Sequence, residues 1–162
     1  MTAPAPRPFE GIKILDFTRF FAGPFGTYQF ALLGADVVKI EPIGGEDNRR
    51  AQLSQEWVDR NMAPAFMAIN ANKRSLTLDL KKPEAQAIVK RLVQDADIVW
   101  ENFRPGVMDR FGLGYETLKE INPKLIYCAV SGFGHSGPES AKAAFDGKIQ
   151  AMSGIMSITG EA

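Results

Sequence analysis

The sequence is poor in the residues from which many structural and catalytic sites are built. Among its 162 residues, Cys128 is the only cysteine and His135 is the only histidine. A single cysteine excludes an internal disulfide, and it is typical of a reducing compartment, so we expect a cytoplasmic protein. One histidine and one cysteine leave no ligand set for a zinc triad, so we expect no metal. Because Cys128 lies in an apolar run, we predict a buried and inert thiol.

The chain also has no excess of either charge and no long apolar run. Lysine plus arginine and aspartate plus glutamate both number 19, which gives a formal net charge of zero. We therefore expect no nucleic acid partner, although a local basic cluster can still bind a phosphorylated ligand. No apolar run approaches the roughly 18 residues of a membrane span, so we expect no membrane partner. The proline-rich residues 1–10 predict a flexible lead rather than a signal peptide.

Apolar strand patterns alternate with helical patterns through the rest of the chain. The predicted strands are 11–17, 36–40, 76–80, 98–100 and 125–130. The predicted helices are 24–33, 64–70, 83–95, 107–111, 115–121 and 145–158. Residues 41–62 are predicted to be a long irregular excursion, and residues 72–75 a turn. This alternation predicts one α/β domain over residues 11–162, with an open parallel Rossmann-like sheet and helices on both faces.

Ligands of such sheets bind at the carboxyl ends of the strands, and residues 97–118 contain the most informative of these ends. Pro105 suits the first turn of a short helix, where its missing N–H has no cost. The unpaired N–H groups at that helix start, together with Arg104 and Arg110, predict a place where a phosphate can bind. Local features alone favour a simpler alternative, a surface turn whose arginines pair with Glu101 and Asp109.

The glycines of 132–137 match the dinucleotide fingerprint G-x-G-x-x-G, but the pattern after them is that of a loop. We therefore interpret this segment as a glycine loop at the ligand edge or as a plain surface loop, with His135 exposed within it. If these residues form a glycine loop at the ligand edge, His135 is available there for proton transfer.

Charged residues at other strand ends leave two interpretations open. Asp16 follows the first strand, where either function or ordinary turn chemistry explains an aspartate. The basic pairs Lys73-Arg74 and Lys81-Lys82 flank one predicted strand, and they fit either a solvated surface or a site for a terminal phosphate.

Several stretches, taken together, occur in the order and spacing of a known family. They are 11–18 (GIKILDFT), 22–24 (AGP), 33–41 (LGADVVKIE), 72–75 (NKRS), 97–106 (DIVWENFRPG), 122–126 (NPKLI), 131–134 (SGFG) and 150–160 (QAMSGIMSITG). The chain from about Gly11 to its last residue resembles the class III CoA-transferases, which include formyl-CoA transferase, carnitine CoA-transferase and the α-methylacyl-CoA racemases.

The resemblance implies that the strand-end turns bind coenzyme A or an acyl-CoA as a substrate. The implied binding residues are Phe21, Ala22, Leu78, Asp79, Lys81, Asn102, Phe103, Arg104 and Arg110. Of these, residues 102–104 would lie along CoA, Arg110 at its pyrophosphate, residues 78–81 at its adenosine end, and residues 21–22 beside the thioester.

The resemblance also implies a reaction that moves CoA from an acyl-CoA to a carboxylic acid. A family aspartate attacks the thioester to give a mixed anhydride, which CoA then converts to an aspartyl-CoA thioester. In the family this aspartate follows the stretch matched by Thr159-Gly160, so we expect it beyond Ala162 and expect no catalytic residue within the chain. We accordingly expect a fragment, a truncated product or one piece of a split protein, and an interlocked homodimer as in the family.

Two alternatives to a transferase remain. The racemase branch of the family has a catalytic histidine where this chain has Phe145, so one of the two groups needed for proton exchange is missing and the transferase is favoured. The other alternative is a CoA-binding fragment or subunit without catalysis of its own.

Overall fold

The computed structural model describes residues 6–51 and 55–161, and the strands within these ranges form one sheet. They are β1 (Lys13–Asp16), β2 (Asp36–Glu41), β3 (Arg74–Thr77), β4 (Ile98–Glu101) and β5 (Ile126–Ala129). The order across the sheet is β3-β2-β1-β4-β5, and every neighbouring pair is parallel. The carboxyl ends of these strands therefore share one edge, which confirms the predicted open parallel sheet.

Helices connect the strands and cover both faces of the sheet. They are α1 (Ala22–Leu32), α2 (Gln55–Asp59), α3 (Pro64–Asn70), α4 (Pro83–Val93), α5 (Val107–Arg110), α6 (Tyr115–Ile121) and α7 (Asp146–Met152). Short 3₁₀ turns occur at Asp47–Arg50 and Ile155–Ile158. Residues 52–54 lie outside the described ranges, as do residues 1–5 of the predicted lead and Ala162.

The core has two layers because successive side chains of a strand point to opposite faces. In β1, Ile14 packs with Ala31 of α1 on one face, whereas Leu15 packs with Val89 of α4 on the other. Leu118 of α6 belongs to the same second layer and is fully buried. The alternation of single residues along β1 thus explains why helices lie on both faces, as predicted.

Three predicted elements differ from the structure. The third strand lies at Arg74–Thr77 rather than 76–80, because Asp79 turns the chain by accepting a hydrogen bond from the Lys81 amide. The short helix α5 begins after Gly106, whose φ of 79° is left-handed, so Pro105 lies outside the helix. The predicted irregular excursion 41–62 contains the 3₁₀ turn Asp47–Arg50 and helix α2.

The predicted final helix 145–158 is also wrong in its length and burial. It divides at Gly154, whose φ of 81° is left-handed, into α7 and the 3₁₀ turn Ile155–Ile158. Neither piece contains a buried residue, and Phe145, Met152 and Ile158 are exposed. This end of the chain therefore presents apolar side chains to solvent, as does Ile126 on the edge strand β5.

The amino-terminal segment packs against α1. Phe9 stacks on Phe30 of α1 at 4.6 Å between ring centroids, and its amide donates to the Leu33 carbonyl.

In the part of the chain that the structure describes, no helix combines the length and apolar character that a bilayer crossing requires.

We predict that Leu118→Ala lowers the free energy of unfolding by about 2–5 kcal/mol, because it leaves a cavity in the second core layer. Leu32→Ala, on the solvent side of α1, is the matched control and should change it by about 0.5 kcal/mol or less. Urea unfolding followed by circular dichroism measures both. Equal losses in the two variants would contradict the assignment of Leu118 to the core.

Candidate functional site

A cleft of about 490 Å³ lies at the carboxyl edge of the sheet, between the ends of β2, β3 and β4. We call it the main cleft. It is lined by Arg19, Ile40, Glu41, Pro42, Ile43, Leu78, Asp79, Leu80, Lys81, Phe103, Val107 and Phe111. Four of the predicted binding residues therefore line one cleft, Leu78, Asp79 and Lys81 from the segment after β3 and Phe103 from the turn after β4.

Arg19 is a cation of the main cleft that the sequence analysis did not predict. Its guanidinium lies over the Phe103 ring, 5.2 Å from the ring centroid. Together with Lys81 it gives the main cleft two cations beside apolar walls from Leu78 and Phe103. The lining also has two carboxylates, Asp79 and Glu41, and Glu41 is already paired with Arg49. A site of this composition suits a ligand that combines anionic groups with an aromatic or apolar part. The only signal for Arg19 in the sequence was its position in the turn after the first strand.

The other predicted residues are not among those that line the main cleft. Phe21 and Ala22 are exposed at the start of α1, where the Phe21 ring stacks on Phe25. The Asn102 side chain binds the backbone of Arg19, accepting from its amide and donating to its carbonyl, both at 2.8 Å. Asn102 therefore connects the turn after β4 to the turn after β1.

Arg104 and Arg110 both follow β4, and neither is among the residues that line the main cleft. Arg110 is exposed on α5, one turn after the cleft residue Val107, with its guanidinium beside Gly106. Among the described residues, no carboxylate lies within 4 Å of the guanidinium of Arg104 or Arg110. The alternative in which these arginines pair with Glu101 and Asp109 is therefore wrong. Because α5 has only one turn, its dipole adds little to anion binding.

Arg104 lines a second cleft of about 460 Å³, which we call the side cleft, next to the edge strand β5. Glu101, Tyr127 and His135 line it as well. Glu101 is buried, and its carboxylate accepts a hydrogen bond of 2.7 Å from the Phe103 amide. Burial raises the pKa of Glu101 to about 7, the Phe103 hydrogen bond opposes this rise, and Asp109 adds to it.

His135 is exposed, as predicted, and its Nε2 lies 3.9 Å from Glu101 Oε1. The glycine loop around it continues to residue 145, and the next helix begins only at Asp146. The structure thus lacks, within these described residues, the helix that a dinucleotide fingerprint requires at its last glycine. Cys128 is partly exposed rather than buried, and desolvation raises the pKa of its thiol.

A buried ion pair lies beneath the turn after β1. Asp16 is fully buried, and its carboxylate accepts from the Thr18 amide at 2.9 Å, as expected for an aspartate that shapes a turn. It also pairs with Lys73, whose Nζ lies 2.9 Å from Asp16 Oδ2. The Lys73 ammonium donates further to Pro24, Thr27 and Asn70, so both interpretations of this lysine as a surface or phosphate-binding residue are wrong.

The electrostatics of this pair follow from its burial. Desolvation lowers the pKa of Lys73 to about 8, and the neighbouring Asp16 carboxylate opposes that shift. For Asp16, desolvation acts to raise the pKa, but Lys39, Lys73 and the threonine hydroxyls outweigh it, so the pKa is lowered. Asp16 is therefore an ionised structural group at neutral pH.

A second buried carboxylate holds the loop that follows β2. Glu41 forms a bidentate pair with Arg49, with two N–O distances of 2.6 Å, and accepts from the Ser75 hydroxyl at 2.7 Å. The Arg49 guanidinium also lies over the Phe66 ring of α3, 3.9 Å from its centroid. Loop 42–51 is thereby connected to β3 and α3.

No group of three or more histidine, cysteine, aspartate or glutamate side chains is arranged for a metal ion in residues 6–51 and 55–161.

Residues 9–162 match the model of CoA-transferase family III. The chain belongs to this family. The resemblance inferred from the sequence is thus confirmed, and the likeness extends over nearly the whole chain.

Named relatives of this family III chain are enzymes of CoA transfer. A succinate–glutarate CoA-transferase of Agrobacterium fabrum is 45% identical over 158 residues, which are 95% of this chain and 40% of the relative. An acetyl-CoA:oxalate CoA-transferase of Acetobacter aceti is 46% identical over 153 residues, which are 94% of this chain and 39% of the relative. The chain thus spans about two fifths of the length of these relatives.

A solved structure shares the fold. The CAIB/BAIF family protein of Brucella suis superimposes with a TM-score of 0.89 at 42% sequence identity, over 97% of this chain and 42% of that protein.

The turn after β1 has one strained residue, Phe20, whose φ of 63° is left-handed. A residue with a Cβ pays about 1–2 kcal/mol for that conformation, whereas glycine does not. We predict that Phe20→Gly is more stable to unfolding than Phe20→Ala by about 1 kcal/mol, since both remove the same exposed ring. Urea unfolding decides it, and a more stable alanine variant would show that the turn is not left-handed.

The buried Glu101 carboxyl predicts a specific dependence of stability on pH. Between its ordinary pKa of 4.5 and its folded value of about 7, the folded state holds a proton that the unfolded state has lost. Its contribution to stability is therefore complete below 4.5 and is lost as the pH rises through 7. Glu101→Gln removes this titration, so the variant should gain stability relative to the parent protein between pH 5 and pH 8. Urea unfolding at both pH values measures this gain, and an unchanged difference would refute it.

Proposed function

We propose that this chain provides the CoA-binding part of a CoA-transferase, which moves CoA from an acyl-CoA to a carboxylic acid. The observation that carries the proposal is the main cleft, in which Leu78, Asp79, Lys81 and Phe103 converge at the carboxyl edge of a family III fold. Parallel α/β sheets bind their ligands at this edge.

The composition of the main cleft supports a CoA-type ligand. CoA combines an aromatic adenine with a pyrophosphate and a ribose 3′-phosphate, and the cleft combines apolar walls from Leu78 and Phe103 with the cations Arg19 and Lys81. Arg110, exposed on α5 one turn after the cleft residue Val107, is the candidate for the pyrophosphate, since it is free of carboxylate partners among the described residues. Phe21 and Ala22 would then lie toward the thioester.

The proposed reaction passes through two covalent intermediates on an aspartate outside residues 1–162. Its carboxylate attacks the acyl-CoA carbonyl, which breaks the C–S bond and gives a mixed anhydride and CoA thiolate. The thiolate attacks the aspartyl carbonyl of the anhydride, which releases the donor carboxylate and leaves an aspartyl-CoA thioester. The acceptor carboxylate then repeats both steps in reverse order, so that a new acyl-CoA leaves and the aspartate is regenerated. The carboxylate substrates in the relatives' names support this class of acceptor.

We also propose that the functional protein is a cytoplasmic homodimer. The exposed apolar side chains at the carboxyl end, such as Met152 and Ile158, support burial against a second polypeptide. The single cysteine supports a reducing compartment.

Arg110→Ala is expected to weaken CoA binding by about 1–3 kcal/mol, because it removes a charge-assisted contact with the pyrophosphate. Isothermal titration of the purified chain with CoA measures this loss. Arg91→Ala is the matched control, since Arg91 is an exposed helical arginine beside the amino-terminal ends of the strands and should leave the affinity unchanged.

An unchanged affinity in Arg110→Ala would reject the pyrophosphate role of this arginine. Binding of CoA to neither the parent chain nor the variants would reject the proposed function of the chain itself.

A further inference from the structure

The turn after β1 is held in place by side chains from several separate parts of the chain. The Thr18 amide donates to Asp16, and the Thr18 carbonyl accepts from Lys39 Nζ of β2 at 2.7 Å. Asn102 binds both backbone groups of Arg19. The Phe20 carbonyl accepts from Asn48 Nδ2 at 2.7 Å. Every backbone carbonyl from Thr18 to Phe20 thus has a polar side chain as its donor.

These hydrogen bonds hold a backbone that is strained at Phe20. Phe20 is a bulky residue in the left-handed region, and its ring is exposed, so packing of the ring contributes little to holding it there. Strained backbone of this kind persists only where the surrounding structure over-determines it, and such places concentrate at ligand sites. The three donors come from β2, from the 3₁₀ turn Asp47–Arg50 and from the turn after β4, so their convergence is a property of the fold.

The fixed turn determines where cleft groups lie. Arg19 is its central residue, and its guanidinium extends from this backbone over the Phe103 ring in the main cleft. Phe21, which follows the turn, begins the run into α1. A shift of the turn would therefore move the Arg19 cation and the start of α1 together.

We propose that Asn48 and Asn102, together with Lys39, are positioning residues that hold the turn Thr18–Phe20 in the conformation that binds the acyl-CoA. This inference rests on the proposed function. No role was predicted for Asn48 from the sequence. Asn102 acts through Arg19, because its side-chain oxygen and nitrogen are both hydrogen-bonded to the backbone of Arg19. Lys39 is the buried member of the set, with its side chain 2% exposed and its Nζ 3.5 Å from Glu46.

Asn48 offers the cleanest test, because it is only partly buried and its removal spares the core. Asn48→Ala removes the donor to Phe20, and Asn48→Asp keeps the shape of the side chain without the donor. Asp47→Ala, at the exposed neighbouring position of the same 3₁₀ turn, is the matched control. A role in packing alone would be preserved in Asn48→Asp, whereas a role through the hydrogen bond would be lost.

Two measurements are made on each variant of the full chain. The first is the intraresidue amide-to-α-proton nuclear Overhauser effect of Phe20, which is strong at positive φ. The second is the dissociation constant for CoA by isothermal titration. We expect both Asn48 variants to weaken the Phe20 signal and to raise the dissociation constant by about 5-fold, the effect of losing one hydrogen bond. Asp47→Ala should match the parent protein in both.

The outcomes separate this inference from the proposed function. An unaltered Phe20 signal in Asn48→Ala, or an altered signal with unaltered CoA affinity, overturns the positioning role. Failure of the parent chain to take up CoA overturns the proposed function and with it the ligand part of this inference, while the Phe20 signal still decides whether Asn48 holds the turn. If Asn48→Ala fails to fold, Asn102→Asp is measured in its place, since it keeps the acceptor for the Arg19 amide and loses the donor to its carbonyl.

Discussion

The pairing of Asp16 with Lys73 is the interaction on which the candidate site depends. A carboxylate at the end of the central strand is fully buried, and a lysine from the segment before β3 reaches it beneath α1. Removing one partner of such a buried pair typically costs about 3–5 kcal/mol, because the other charge remains without compensation. Here the lysine has four oxygen acceptors and the aspartate three further donors, so the pair connects the first strand turn to α1 and α3.

The same arrangement recurs around the sheet edge. Glu41 connects β2 to β3 and to the following loop, and Glu101 shapes the turn after β4 through the Phe103 amide. Three acidic residues at or next to the ends of adjacent strands thus each organise one loop. Arg19, Pro42 and Phe103 of the main cleft lie on these three loops, so the polar groups beneath the cleft determine the positions of these lining residues.

Much of the fold was predictable because its signals are local. The alternation of Ile14 and Leu15, and the helical spacing of Val89 and Val93, state directly which face each side chain will occupy. The boundaries of β3 and α5 were not predictable, since they depend on sheet pairing with β2 and on the left-handed Gly106.

The candidate site was predictable only in part, for a related reason. The family resemblance selected Leu78, Asp79, Lys81 and Phe103, which the fold does bring together. Arg19 and Asn48 escaped notice and Lys73 was misinterpreted, because their roles depend on contacts across as many as 83 residues of sequence, which no local pattern reveals. Lys73 in particular has the sequence setting of a surface lysine, and only its partner Asp16 explains its burial.

The edge position of β5 has a consequence for handling the protein. Within the described residues β5 is a terminal strand of the sheet and carries the exposed Ile126, and such an edge is a template for intermolecular β-addition. We therefore expect concentrated solutions of the isolated chain to aggregate through this edge. A charged residue introduced on β5 would oppose aggregation and would leave the opposite half of the sheet unchanged.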